Sequence, residues 1–190
     1  MKGIVETGAE LLLRELETDP QSVAMIFGTQ TTIDAGAYPR FLEDHGVDAS
    51  RVVSQACPGL ADTISEDREG VRTRAEIRRW VGAAIDKMQH ADAPVVACLA
   101  CTHYGYRKDL FAAALAEAGM RAIVVNPNES AVDDIFDEQA EGAHRPVEVQ
   151  FVTRYAIPAA TIEALTWFLN EISPRTIAAM KIFVHVPDLF

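Results

Sequence analysis

Apolar residues along this chain alternate between two spacings. Short continuous runs of strand length are followed by stretches in which apolar residues recur every three or four positions, the helical spacing. Residues 93–115, APVVACLACTHYGYRKDLFAAAL, carry both in one segment. Residues 95–100 are a continuous apolar run, and from Tyr106 onward Leu110, Phe111, Ala114 and Leu115 fall on one helical face. Between them lie Cys101-Thr102-His103-Tyr104-Gly105, which puts a thiol, a hydroxyl and an imidazole at the carboxyl end of a buried strand. In open α/β sheets that is where ligands bind.

The same alternation predicts a helix over 5–17 that ends before Asp19-Pro20, then a short strand over 23–27 leading into the polar turn GTQTT. A helix over 34–45 follows, then a strand over 51–55 that stops at ACPG, and a short helix over 60–66. A long amphipathic helix over 72–89 carries Ile77, Trp80, Val81, Ala84, Ile85 and Met88 at helical spacing. Beyond residue 115 the pattern predicts a strand over 121–125 and a helix over 130–138, then the acidic loop DEQAEGAHRP. A strand over 147–153, a helix over 159–170 and a strand-like run over 182–186 complete the chain. Strands alternating with helices imply an α/β fold, a Rossmann-like parallel sheet with helices on both faces. There is no internal repeat.

Composition narrows the partners. The 190 residues suffice for one sizeable domain or two small ones, and 49% hydrophobic with 24% charged is an ordinary globular balance. Seventeen basic against 28 acidic residues leave a net charge of -11, which argues against nucleic acid or an anionic membrane as partner. The nearest basic cluster, Arg72, Arg74, Arg78 and Arg79, sits beside Glu69 and Glu76 and fits a solvated helix face. The first residues carry Glu6, Glu10, Arg14 and Glu15 and resemble no signal peptide, and no apolar stretch is long enough to span a bilayer. Three cysteines do not form a disulfide framework, so a cytoplasmic protein with reduced thiols is expected.

The thiols then have to be told apart. Cys98 and Cys101 form C-x-x-C, but an offset of three along a strand puts them on opposite faces, and no second pair completes a zinc site. No metal is expected, and Cys98 is assigned to the core. Cys101 stands among polar neighbours, where a part-exposed thiol beside His103 could reach the thiolate state near neutral pH. GTQTTIDAG over 28–36 offers the hydroxyls of Thr29, Thr31 and Thr32 at another strand end, where simple helix capping is the plainer alternative. Cys57, in ACPGL at 56–60, is assigned to packing.

Taken together these turns resemble a family. CTHYG at 101–105 resembles the CTHYP signature of glutamate racemases, in the aspartate/glutamate racemase superfamily. GTQTTIDAGAY at 28–38 is similar to that family's GT-x-x-TI-x-S-x-x-Y, and ACPGL to its CP-x-L turn, all in family order over residues 3–153. Gly105 replaces the usual proline, Ala35 a common serine, and Ser65 falls where glutamate is usual, leaving Glu66 as a substitute. The resemblance implies two α/β domains with an amino acid bound between them and no cofactor. It makes Cys101 one of two catalytic cysteines, supported by His103, with Thr102, His103, Thr29 and Thr32 binding the substrate.

Racemisation without a cofactor needs acid/base groups on both faces of the α-carbon. The family supplies the other cysteine from a CNT motif, near an early DSG motif, and neither string occurs here. The resemblance therefore implies an N-terminally incomplete member. Residues 15–124 would form one complete α/β domain, and 1–14 with 125–190 the remainder of a second domain lacking strands. Unpaired strand edges there lead to the expectation of a homodimer. Cys57 would approach from the same side as Cys101 and is not expected to replace the missing base. Two alternatives stand beside the glutamate reading: a non-catalytic carboxylate-binding module, and a racemase for aspartate or a related superfamily substrate.

Overall fold

The structure, a computed structural model, describes residues 3–135 and 148–189. The acidic loop over 137–146 lies outside the described residues. The chain begins with α1 (Ile4–Thr18), β1 (Val23–Gly28), α2 (Gln30–Ala35) and α3 (Ala37–Asp44). β2 (Val52–Ala56), α4 (Leu60–Glu66), α5 (Val71–Ile85) and β3 (Val95–Ala100) follow. Next come α6 (Lys108–Glu117), β4 (Ala122–Val125) and α7 (Pro127–Ile135), and then β5 (Val152–Thr153), α8 (Ala159–Leu169), α9 (Pro174–Lys181) and β6 (Val184–His185).

Four strands form a wholly parallel sheet in the order β2-β1-β3-β4, as the alternating pattern predicts. β1 is interior and every one of its residues is buried, which its unbroken apolar run requires. Alternate residues serve opposite layers. Met25, Phe27, Ala97 and Leu99 pack with Ile64 of α4, Ile77 and Val81 of α5 and Phe111 of α6. Ala24, Ile26, Val96 and Cys98 pack with Leu12 and Leu16 of α1 and Leu42 of α3. The placement of Cys98 in one layer and Cys101 against the other follows from the two-residue strand period. Phe27 and Phe111 meet with ring centroids 5.1 Å apart, anchoring α6 to the central strand. α1 also packs on α7, so residues 4–14 share this core with the sheet.

Several elements differ from expectation. The helix predicted over 34–45 is two helices: α2 starts at Gln30, and Gly36, at φ 62°, ends it and turns the chain into α3. Glycine reaches that left-handed conformation without the Cβ clash other residues meet. The helix after Cys101 opens with a 3-10 turn, Tyr104–Arg107, before α6. α9 is absent from the sequence-based expectation, although Pro174 stands at its first turn, where the missing N–H costs nothing. The strands expected over 147–153 and 182–186 shrink to the two-residue parallel pair of β5 and β6. No helix among the described residues is long and apolar enough to cross a membrane.

Candidate active site

Strand register places the three turns side by side. Gly28 pairs with Ala56 on one side and Ala100 on the other, so Thr29, Cys57 and Cys101 each stand one residue beyond the same level of the sheet. A cleft of about 260 Å³ opens there, lined by Thr29, Thr32, Cys101 and Thr102. Ile4 and Val5 of α1, Tyr38 of α3, and Pro127 with Asn128 at the start of α7 complete its walls. Larger depressions lie beside α8, about 410 Å³, and at the amino ends of the strands, about 480 Å³, but neither is lined by a thiol. The cleft at the carboxyl ends is where an open parallel sheet puts its ligands.

Cys101 is half-buried, and its Sγ lies 3.9 Å from His103 Nδ1. Burial pushes the thiol above its ordinary range, while backbone N–H groups of His103 and Tyr104 pull the other way. Desolvation is the largest of these influences and works against the thiolate expected near neutral pH. His103, expected to bind the substrate, is not among the residues lining the cleft. Tyr104, fully buried, donates through its hydroxyl to Cys57 O at 3.2 Å and so ties the Cys101 turn to the Cys57 turn.

On the facing turn, Thr29 Oγ1 accepts from Thr32 N at 3.2 Å and lies 2.9 Å from Thr32 Oγ1. Thr29 is thus both helix cap and cleft lining, which joins the two readings the sequence offers. Thr31 is exposed and does not line the cleft. Cys57 is 2% exposed with its thiol pushed up to about 12 by burial, and Cys98, wholly buried, is pushed up to about 12 by the same cause. Both are core, as the sequence indicates. Glu66 is not among the residues lining the cleft: its side chain is 61% exposed and meets Arg72 at 3.7 Å. Ser65 Oγ donates back to Ala61 O at 2.9 Å.

Sequence reasoning missed the two ends of the cleft. Asn128 belongs to a fourth polar turn, Asn126-Pro127-Asn128, directly after β4, and the strand-end rule applied to the other three turns could have found it. Ile4 and Val5 carry no such signal, because α1 reaches the cleft only through tertiary packing.

No protein-family model matches the chain. Over 137 residues, 72% of this chain and 49% of the relative, it is 27% identical to the glutamate racemase of a Nitratiruptor species. Over 101 residues it is 36% identical to the glutamate racemase of a Jannaschia species, covering 53% of this chain and 35% of the relative. The chain resembles glutamate racemases. It spans half or less of the length of these curated relatives. Among solved structures, glutamate racemase isoform RacE1 from Bacillus anthracis superposes with a TM-score of 0.64 at 16% identity, covering 88% of this chain and 60% of that one. The glutamate racemase from Campylobacter jejuni subsp. jejuni gives 0.53 at 18% identity, covering 70% and 48%. At such identities the two structures speak for the glutamate racemase fold of this chain.

Proposed function

We propose that this chain carries one side of a cofactor-independent amino-acid racemase site of the glutamate racemase type, interconverting L- and D-glutamate. The observation that carries this reading is the juxtaposition of Cys101 with His103 at 3.9 Å on a cleft whose other wall presents Thr29 and Thr32. Thr29, Thr32 and Thr102 supply hydroxyls to the amino acid. Cys101 as thiol donates its proton to one face of the α-carbon while a base on the opposite face removes the original hydrogen, and as thiolate it takes the hydrogen from its own face in the reverse direction. Inversion leaves Cys101 as thiolate and the opposite group protonated, which readies the site for the reverse direction. His103 steadies the sulfur through both forms. Among the described residues Cys101 is the thiol lining the cleft, so on this reading the opposite base lies outside them. The family role that follows is supply of D-glutamate for peptidoglycan in the cytoplasm.

A second reading, a carboxylate-binding module without turnover, is favoured by the core positions of Cys57 and Cys98, which leave one thiol on the cleft. Calorimetric titration with D- and L-glutamate, run beside hydrogen exchange at the α-carbon, separates the two. Binding with exchange supports the racemase site, binding alone supports the module, and neither would overturn both.

A further inference from the structure

The fourth turn holds an amide that neither the family motifs nor the thiol chemistry assigns. Asn126 follows β4, is 7% exposed, and its Oδ1 accepts Asn128 N at 3.2 Å and Asn128 Nδ2 at 3.0 Å. A backbone N–H can only donate, so the Asn126 atom it meets is the carbonyl oxygen. The Asn128 atom meeting that same oxygen is therefore its NH₂ group, which fixes the orientation of both amides by chemistry. Asn126 Nδ2 donates to Glu129 Oε1 at 3.3 Å, and Glu129 Oε2 holds Lys108 Nζ at 2.7 Å. The chain of contacts runs from the start of α6, just beyond the Cys101 turn, to the cleft wall.

Asn128 lines the same cleft as Cys101, Thr29, Thr32 and Thr102. One of its two amide hydrogens is used by Asn126, and the lining contains no charged side chain of either sign. A cleft that offers hydroxyl and amide donors without a cation binds an anion through oriented hydrogen bonds, and a carboxylate suits several such donors at once. We propose that Asn128 is a ligand-positioning residue, donating its second amide hydrogen to a carboxylate of the molecule held against Cys101. This rests on the reading of the cleft as a carboxylic-acid site, and it adds a residue on the wall across from the threonines.

The test uses the intact chain and the thiol itself as reporter. Iodoacetate and iodoacetamide deliver the same carbon to sulfur with the same iodide leaving group, and differ in carboxylate against carboxamide. Their rates at Cys101, followed by peptide mass spectrometry at fixed pH and salt, give a ratio for each protein. In Asn128→Leu the iodoacetate-to-iodoacetamide ratio should fall about tenfold, the size of one charge-assisted hydrogen bond, with the iodoacetamide rate nearly unchanged. Asn128→Ala, which keeps the backbone bond to Asn126, should show the same fall and covers the case in which the leucine variant misfolds. An unchanged ratio, or equal slowing of both reagents, would overturn the proposal. Failure of glutamate to bind or exchange would instead strike the racemase reading, since alkylation requires neither.

Discussion

Gly105 and Asn126 approach so closely that no side chain fits between them: a β-carbon on residue 105 would stand 2.6 Å from Asn126 Nδ2. The departure from the family's CTHYP to CTHYG is thus matched by an amide occupying the space. Gly105→Ala should destabilise the fold by about 1–3 kcal/mol, the usual cost of overpacking. In a double-mutant cycle, Asn126→Gly should recover part of that loss, because the clashing carboxamide is gone. Urea unfolding of the four proteins measures the coupling, and strict additivity would show that the contact does not matter.

Burial raises the Cys101 thiol, and the groups that oppose this are backbone N–H groups of His103 and Tyr104. Its alkylation rate by iodoacetamide should therefore climb with pH to a midpoint above the ~8.5 of a free cysteine. His103→Gln should leave that midpoint close to its wild-type position, since the backbone donors remain. A midpoint below ~8 would mean that the imidazole governs the sulfur after all.

Alkaline stability follows from the buried acids. Cys57 and Cys98 are each pushed up to about 12 in the folded protein by burial, and Tyr38 and Tyr104 are raised as well. A group with a raised folded value stabilises fully below its unfolded value and loses that contribution as pH rises through the window up to the folded one. For the two thiols the window runs from ~8.5, the unfolded cysteine value, to about 12. Urea midpoints should fall steadily from about pH 8.5 to about 10.5, and less steeply in Cys98→Ala.

Arg107 fastens α8 to the body of the protein. Its Nη2 donates to Asp67 O at 2.9 Å and Arg68 O at 2.8 Å, while its guanidinium lies 4.7 Å from the Phe168 ring and 5.3 Å from that of Trp167. Arg107→Met removes the donor from two carbonyls and the cation from the rings, at a cost of about 2–4 kcal/mol. Trp167 emission should shift to the red in that variant. Unchanged emission with unchanged stability would show that the contact is dispensable.

How far the sequence reveals this site depends on which force decides each element. Residues 95–100 form β3 as predicted, because a continuous apolar run between polar turns leaves one solution in a parallel sheet. The Cys101 turn is equally legible, since strand-end geometry follows from the strand itself. The split at Gly36 is hidden because a glycine within a helical pattern can be tolerated or can end the helix, and only the packing of Tyr38 and Leu42 into the core decides. The upward push on the Cys101 thiol is illegible because burial is a tertiary quantity, while the sequence displays only the neighbouring imidazole. Asn128 escapes a search led by thiols and hydroxyls, although its turn obeys the same strand-end rule.

The central claim is that Cys101 exchanges a proton with the α-carbon of a bound amino acid. Proton NMR in D₂O, following the Cα hydrogen of L- and D-glutamate with the chain 1–190, tests it most directly. One group acting from one face should wash out the Cα hydrogen of a single enantiomer, with configuration kept, and Cys101→Ser should abolish the exchange. Exchange that persists in Cys101→Ser, or sustained interconversion of both enantiomers by this chain alone, would contradict the account.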